Sequence, residues 1–400
     1  VVTEHDIRTD AWYLDCGRIP TCIAVESGQA DLFLSGWLGI DFETKGLACY
    51  RLLDAVVTFH DALPTVGKTI NYDTRVLHFF RQGSTYLFRF EFDATVDGKP
   101  LLTMRDGCAG FFTDAELAGG KGIIHTALDK RPRPGKRPAD WNDPVPMASE
   151  SYDDRQLLAL RQGDLASCFG PAFAGLPLKN PVTLPGLPVR QGATRSRMWL
   201  IDRVLKVDPV GGKFGLGTIL GELDIHPDDW FLTCHFCDDQ VMPGTLMYEC
   251  CLHTLRIFLM RMGWVGEAGD IVYEPIPAVR SRLKCRGQVL AETKKVWYEV
   301  TLKEIGYGSP ESGDTSAYCL ADALMYADGK PIVEITDMSV RLTGLTQPAV
   351  ERLWQRGRQR PAAAVSLPKY DRRPAIFDTD RITAFAIGKP SDAFGDRYLP

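Results

Sequence analysis

The feature that most constrains the fold of this chain is an internal repeat. Residues 12–26 align without gaps on residues 235–249, and the proline and the glutamate of the two segments coincide. Two further matches follow in the same order and at nearly the same spacing. They pair residues 97–100 with 328–331 and residues 163–170 with 388–395. Three ordered matches predict similar folding units in tandem.

An apolar run follows the matching proline in each repeat. These runs are Thr21–Trp37 and Thr245–Gly263, and both are too long for a strand and hydrophobic nearly all round. A helix with no polar face must be enclosed by other structure. Each repeat is therefore predicted to contain one buried helix.

Strands are predicted after each helix. Residues 86–92 and 296–302 alternate at a period of two, as expected of half-buried strands. The Asp-Gly pairs at 97–98 and 328–329 predict hairpin turns, because glycine tolerates the positive φ of a tight turn. Long antiparallel strands with one buried helix predict an α+β fold, a sheet wrapped around a helix, present twice.

Composition excludes several classes of protein. The chain is 45% hydrophobic with a net charge of −5, which argues against disorder and against a nucleic-acid-binding face. Eleven scattered cysteines do not form a disulfide framework, so we expect a reducing, cytoplasmic setting. Cys234 and Cys237 have C-x-x-C spacing, but no second pair accompanies them and no metal site is expected.

The most membrane-like stretch runs from Val241 to Trp264. Glu249, His253, Arg256 and Arg261 interrupt it, and each charged group costs about 2.5–3.5 kcal/mol at the centre of a spanning helix. A buried helix is the better interpretation, and no membrane span is predicted. The start lacks a signal peptide, and the missing initiator Met suggests a piece excised from a larger protein.

The repeats suggest a division of the chain. Repeat one is predicted over 1–116 and repeat two over 191–345. Residues 117–190 are rich in Gly, Pro and Arg and are predicted to be a surface linker. Residues 346–400 are predicted to be a linker and, from the third match, the start of a following unit, so neighbouring domains of a larger protein are expected.

One motif carries the chemistry. His235 opens the segment His-Phe-x-x-Asp-x-Val-Met-Pro-Gly, and Glu249 follows fourteen residues after the histidine. This segment resembles the active site of the 3-hydroxydecanoyl carrier-protein dehydratase family. The tandem arrangement, with Glu26-Ser-Gly-Gln-Ala-Asp-Leu-Phe in repeat one, is similar to the dehydratase region of polyunsaturated fatty acid synthases. The resemblance implies a tandem (double) hot-dog fold.

The resemblance also implies a reaction. The substrate would be a 3-hydroxyacyl thioester on the phosphopantetheine of an acyl carrier protein, lying in a tunnel between the repeats, and the product a trans-2-enoyl thioester. No metal or other cofactor is implied. Acyl chain length, double-bond isomerisation and oligomeric state cannot be read from the sequence.

Dehydration needs a base for the C2 proton, an acid for the 3-hydroxyl and a donor for the thioester oxygen. The resemblance assigns the base to His235, because an imidazole is largely neutral near working pH. It assigns the thioester-polarising amide to Gly244, at the start of a helix where backbone N–H groups are free. Val241 and Pro243 are assigned to substrate binding.

The acid is a choice between two glutamates. In the family, the histidine and the acid of one site come from different hot-dogs, so His235 would face Glu26 of repeat one. Glu249 would face Trp12, which stands where repeat one needs its own histidine. We therefore expect one competent site and one dead site, with Glu26 preferred over Glu249.

Other interpretations stay open. His235 could be a core residue, and either glutamate could cap or solvate a helix. His253, one turn after Glu249, could orient that carboxylate, although packing is favoured. The basic residues Arg280, Arg282, Lys284 and Arg286 could contact a carrier protein or form a solvated strand face. As a whole, the chain could be a non-catalytic scaffold or a hot-dog thioesterase.

Overall fold

The computed structural model describes most of the chain. The described residues are 1–176, 178, 184–185, 196–236, 238–266, 271–308, 311, 313–359 and 377–399. They form two compact units, Val1–Gly357 and Arg358–Pro400. The larger unit contains both repeats.

Repeat one consists of short helices and mostly long strands. In chain order its elements are β1 (Val2–Asp6), α1 (Thr21–Glu26), α2 (Asp31–Trp37), α3 (Ile40–Thr44), β2 (Cys49–Phe59), β3 (Thr69–Gln82), β4 (Thr85–Val96), β5 (Lys99–Phe112) and α4 (Asp114–Ala118). Phe88, Phe90 and Phe92 of β4 are fully buried and belong to the core that contains α1.

Repeat two has one long helix in a larger sheet. Its elements are β6 (Glu150–Tyr152), α5 (Asp154–Arg161), α6 (Leu165–Phe169), β7 (Arg203–Asp208), β8 (Thr218–Asp224), α7 (Trp230–Cys234), α8 (Gly244–Arg261), β9 (Val272–Glu274), β10 (Arg280–Cys285), β11 (Lys295–Tyr307), β12 (Ser316–Ala327), β13 (Lys330–Thr346) and α9 (Gln347–Gln359). A 3-10 turn over Pro171–Phe173 follows α6.

The strands form one antiparallel sheet through both repeats. Their order is β1-β3-β4-β5-β2-β10-β13-β12-β11-β8-β7-β6, with β9 paired to β13. The two halves join where β2 pairs with β10, from Arg280 opposite Thr58 to Lys284 opposite Asp54. The predicted α+β double hot-dog is confirmed, and its junction is this strand pair.

The predicted central helix of repeat two is confirmed as α8. All of its residues except Gly244 and Tyr248 are buried, including Glu249, His253 and Arg256. The helix packs against α1, β8 and the strands β11 to β13. Its burial explains why an apolar sequence continues around every face of the helix.

The predicted single helix over Thr21–Trp37 is wrong. The structure ends α1 at Glu26 and begins α2 at Asp31. A side chain at Gly28 would lie 2.6 Å from the Tyr72 ring and 2.9 Å from the Phe92 ring, so this segment packs directly on the sheet. The helix therefore breaks where the sheet approaches its backbone. On α2, Trp37 is 80% exposed, so this second helix is not enclosed.

Both predicted hairpins are confirmed. Asp97 and Gly98 join β4 to β5 with φ of 51° and 75°, and Asp328 and Gly329 join β12 to β13 with φ of 45° and 85°. Positive φ at both central residues is the geometry that matches the twist of hairpin strands.

The prediction of a surface linker over 117–190 is wrong for residues 150–173. Strand β6 pairs with β7, and the side chains of Leu157, Leu160 and Phe173 are buried in the core of repeat two. Asp153 caps α5 through a reciprocal pair of hydrogen bonds with Gln156. The two short helices here, α5 and α6, were not predicted because the composition of this segment is polar and rich in Gly and Pro.

The predicted linker after residue 346 begins instead with α9. Leu353 and Trp354 are buried in the core of repeat two, and the Trp354 indole N–H donates to the Gly263 carbonyl at 2.8 Å. Repeat two therefore uses chain on both sides of 191–345 to cover the end of α8.

The smaller unit reproduces a piece of the larger one. Its helices are α10 (Thr379–Ile387) and α11 (Pro390–Phe394), followed by a 3-10 turn. Asp378 caps α10 as Asp153 caps α5, and Gly395 has φ of 92° where Gly170 has 95°. The third sequence match is thus a structural repeat of α5 and α6. Within the described residues, every helix is too short or too polar to cross a membrane.

Candidate active site

His235 lies in the loop between α7 and α8. The backbone N–H of Val241 donates to the His235 carbonyl at 2.9 Å, and that of Phe236 donates to the Asp239 carbonyl at 2.7 Å, so the loop is a tight turn. The imidazole Nδ1 lies 2.8 Å from the Val241 carbonyl oxygen. Because a carbonyl only accepts, Nδ1 carries the proton and the neutral ring presents Nε2 as its basic nitrogen.

Glu26 reaches this nitrogen from the other repeat. Oε1 of Glu26, the last residue of α1, lies 3.6 Å from Nε2 of His235. Oε2 accepts hydrogen bonds from the Thr245 hydroxyl at 2.5 Å and from the Gln29 side-chain amide at 3.1 Å. One oxygen is therefore held in place while the other faces the imidazole.

Two effects oppose each other at the imidazole. Burial lowers the pKa of His235, but the facing Glu26 carboxylate, 3.6 Å away, raises the pKa, and the Val241 carbonyl adds to the rise. The net result is a pKa above the ordinary value of 6.5. An imidazole in this setting is suited to accept a proton from a substrate and to return it.

A cavity opens beside this pair. His235, Val241 and Gly244 line it from repeat two, and Glu26 and Leu52 line it from repeat one. A Cβ on Gly244 would have no heavy atom nearer than 3.5 Å, so glycine here keeps space open rather than avoiding a clash. Pro243 is the N-cap residue directly behind Gly244 and is not part of the lining.

A second, mostly apolar pocket adjoins the first. Leu52 lines both pockets. The second is enclosed by Phe59 and Met104 of repeat one and by Leu252 and Val279 of repeat two. Both repeats therefore line both pockets, and Leu52 stands between the polar pocket at His235 and the apolar one.

Glu249 occupies the pseudo-symmetric position but a different environment. Its Oε2 accepts from the Cys22 backbone N–H at 3.0 Å, as Glu26 accepts from Thr245, at the corresponding place in the other repeat. The side chain is fully buried, whereas that of Glu26 is 34% exposed. Burial raises the pKa of Glu249, but His253, Arg256 and the Cys22 N–H outweigh it and hold the pKa below its ordinary value.

Trp12 stands apart from Glu249. Its ring packs on Trp230 with 4.8 Å between centroids and lies under the Arg197 guanidinium at 5.1 Å. Within the described residues, the polar neighbours of the Glu249 carboxylate are Cys22, His253 and Arg256. The structure thus brings together His235 and Glu26, and it does not bring Trp12 to Glu249.

Several residues of the site have no signal in the sequence. Thr245 and Gln29 hold Glu26. Arg51 of β2 forms two hydrogen bonds with Asp239 of the His235 loop. Asp31 is fully buried, and burial raises its pKa to about 7 although the Tyr50 hydroxyl donates to it at 2.7 Å. The helix spacing could have suggested Gln29, but the other contacts join distant parts of the chain.

The basic residues on β10 and directly after it are mostly paired with carboxylates. Arg280, Lys284 and Arg286 lie 3.6, 3.9 and 2.9 Å from Asp106, Glu334 and Asp54 respectively. This geometry favours a solvated strand face over a carrier-protein contact. Cys234 is exposed, and Cys237 lies outside the described residues, so the C-x-x-C pair stays a sequence observation.

Comparison with known proteins defines the class of repeat two. Residues 193–336 match the model of the FabA-like domain. The match contains His235, Gly244 and Glu249, with the loop and the buried helix described above. Repeat two therefore carries the similarity to the FabA-like domain, and the predicted family resemblance is confirmed.

A larger protein extends the likeness over both repeats. The chain is 36% identical over 329 residues to one component polypeptide of the polyunsaturated fatty acid synthase of Thraustochytrium sp.. The alignment covers 80% of the chain, and the chain spans 21% of that synthase polypeptide.

Solved structures of similar fold include two enzymes. A protein described as an oleoyl thioesterase from Lactobacillus plantarum is 11% identical with a TM-score of 0.43, covering 86% of this chain and 96% of its own. A polyketide synthase dehydratase domain from Brevibacillus brevis is 11% identical with a TM-score of 0.40, covering 85% and 92%.

Proposed function

We propose that this chain dehydrates 3-hydroxyacyl thioesters to trans-2-enoyl thioesters during fatty acid synthesis. The observation that supports it most is the facing pair at the junction, with His235 Nε2 at 3.6 Å from Glu26 Oε1 in a cavity lined by both repeats. A base and an acid on one wall of a pocket fit a reaction that removes a proton and a hydroxyl from adjacent carbons.

His235 and Glu26 share one proton, and in the reactive arrangement that proton lies on Glu26 while the imidazole is neutral. Nε2 of His235 takes the C2 proton, the C2–C3 double bond forms, and the C3–O bond breaks as Glu26 gives its proton to the departing hydroxyl. Water leaves, and the pair is left as imidazolium and carboxylate. Transfer of one proton from His235 back to Glu26 restores the starting state.

The start of α8 stabilises the charge that develops on the thioester oxygen. The first N–H groups of a helix have no partner within the helix and carry the positive end of its dipole. Gly244 is the first residue of α8 and lines the cavity without a side chain. Its N–H is the donor we assign to the thioester carbonyl, with Val241 and Pro243 shaping the approach.

The acyl chain follows the apolar lining. From the thioester it passes Leu52 into the pocket enclosed by Phe59, Met104 and Val279. The phosphopantetheine arm of a carrier protein brings the thioester to the pocket beside His235. The proposed reaction needs no metal or further cofactor. This activity would take place in the cytoplasm.

Neighbouring synthase domains complete the proposal. Residues 377–399 repeat the structure of α5 and α6, which precede the second hot-dog sheet and contribute to its core. We assign this smaller unit to the opening of a further unit of the same kind. Limited proteolysis of a longer clone would test this assignment, and a separate protease-resistant fragment that begins in this unit is the expected result.

The test is hydration in the reverse direction. Crotonyl and 2-decenoyl N-acetylcysteamine thioesters lose their enoyl absorbance when water adds, and the rates of the parent and His235→Ala are compared. We expect the variant to lose at least about 10³-fold, since a general base contributes about 10²–10⁴-fold. Equal rates in the parent and the variant would refute the dehydratase proposal. A parent without activity would favour a non-catalytic scaffold, and release of free thiol would indicate a thioesterase.

A further inference from the structure

The loop that carries His235 is held from the other repeat by one arginine. Arg51 of β2 donates from Nη1 and Nη2 to the two carboxylate oxygens of Asp239, at 2.5 and 2.7 Å. Its Nε donates to the side-chain oxygen of Gln288 at 2.8 Å. These three residues are called the Arg51 clamp below. The Arg51 side chain is only 12% exposed and that of Asp239 21%, so water screens the pair weakly.

The clamp acts at the tip of the turn. Phe236 and Asp239 exchange backbone hydrogen bonds, and His235 and Val241 are joined at the base. The Nδ1 contact of the imidazole is to Val241, which belongs to the same turn. The imidazole therefore moves with the turn, and the bond from Arg51 to Asp239 fixes the turn against repeat one.

The clamp shares its scaffold with the acid. Arg51 lies on β2 between Tyr50 and Leu52, and both of these residues line the same cavity as Glu26. Gln288 also lines this cavity and lies in the loop after β10. Fixing Asp239 to this strand sets the position of His235 relative to groups that belong to repeat one.

We propose that Arg51 is a positioning residue, which sets the separation of His235 and Glu26 by holding Asp239. The inference rests on the proposed dehydration, because it concerns the geometry of that pair. It also gives repeat one a second contribution to the site besides its glutamate. A bidentate fork is required for this role, and lysine cannot supply one.

The main variant is Arg51→Met, with Arg51→Lys as a graded change and Arg286→Met as the matched control. Arg286 also joins the two repeats, pairing with Asp54 at 2.9 Å, but it is not among the residues that line the cavity. A displacement of about 1 Å can cost about 10²-fold in rate. We therefore expect kcat to fall about 10–100-fold in Arg51→Met with KM little changed, less in Arg51→Lys, and not in Arg286→Met.

A second readout separates position from charge. Among the described residues, Glu26 from α1 is the charged group that contacts the imidazole, and the Arg51–Asp239 pair joins β2 to the imidazole's own loop. Removing a nearby positive charge alone would raise the pKa of His235. If the ring moves away from Glu26, the contact that raises its pKa is lost. Burial still acts on the ring and lowers the pKa, so the pKa of His235 falls.

The experiment is therefore an NMR titration of the His235 imidazole, assigned with His235→Ala, in the parent and in Arg51→Met. A fall in the pKa with the loss of kcat supports the proposal. An unchanged or raised pKa, unchanged kcat, or an equal loss in Arg286→Met overturns it. Should Arg51→Met fail to fold, Asp239→Asn with Arg51 intact must show the same loss of kcat. An inactive parent would refute the dehydration alone, since the titration still reports on the clamp.

Discussion

Two glutamates at equivalent places in the two repeats have opposite surroundings. Both accept a hydrogen bond from the second residue of the other repeat's helix, Glu26 from Thr245 and Glu249 from Cys22. Glu26 then faces an imidazole and a cavity, whereas Glu249 is sealed among His253 and Arg256. The two repeats thus place a carboxylate at the same position, but only the carboxylate of Glu26 is accessible from a cavity. A duplicated hot-dog can keep one site and use the remains of the other as core.

The sharpest way to break this comparison is to neutralise each glutamate in turn. We expect Glu26→Gln to reduce the rate of crotonyl thioester hydration about 10²–10⁴-fold, because glutamine cannot donate a proton to the hydroxyl. Glu249→Gln should leave turnover per folded molecule close to that of the parent. The reverse ranking would move the acid to the other repeat.

A bulky side chain in the apolar pocket should separate substrates by length. Val279→Trp narrows the pocket beyond Leu52 without touching His235 or Glu26. Hydration of the ten-carbon thioester should fall by about 10-fold or more, because a buried chain loses about 0.8 kcal/mol for each CH₂ that no longer fits. The four-carbon thioester should react as before, and Val279→Ala should preserve both rates. An equal loss on both substrates would place the acyl chain elsewhere.

The sealed site should show itself in stability at acid pH. Burial is the main cause that lowers the pKa of His253, and the charge of Arg256 lowers it further. Glu249 and Asp15 raise the pKa but do not outweigh burial, so the folded protein keeps this ring neutral. The unfolded chain binds a proton below about pH 6.5, and stability falls as pH falls through that value. The His253→Gln variant has no imidazole to protonate. Between pH 7.5 and 5.5 its free energy of unfolding should therefore rise by roughly 1 kcal/mol relative to that of the parent.

Thermal unfolding of both proteins at the two pH values measures this difference. A midpoint difference that does not change with pH would mean that His253 binds its proton equally in the folded and the unfolded chain, and the neutral buried ring would be refuted.

The smallest expected effect is the restoration of the missing histidine. Trp12→His in the His235→Ala background should leave the rate where His235→Ala alone leaves it. Trp12 packs on Trp230 and Arg197, and Glu249 is fully enclosed, so a new imidazole meets neither an acid nor a substrate. Recovery of hydration would show that the second site is open after all.

The sequence predicted the parts of the fold that local patterns determine. The apolar run after Pro243 predicted α8, and the two Asp-Gly pairs predicted hairpins that the structure contains. The same reasoning failed after Pro20, because the helix is broken by Tyr72 and Phe92 against Gly28, which are distant in sequence. Composition hid α5 and α6, whose burial depends on the sheet they pack against.

The site was predictable where a motif or the repeat marked it. The motif pointed to His235 and Gly244, and the repeat pointed to Glu26 across the junction. Arg51 had no such mark, because its partner Asp239 lies 188 residues further along the chain, in the other repeat. Contacts between folded repeats cannot be read from a pattern within one of them.

The most direct test of a shared centre is a double-mutant cycle between His235 and Glu26. Hydration rates are measured for the parent, His235→Ala, Glu26→Gln and the double variant at one pH. If the two groups serve one reaction step, the double variant is about as slow as the slower single variant. Losses that multiply would show that the two residues act independently, and a shared centre would then be refuted.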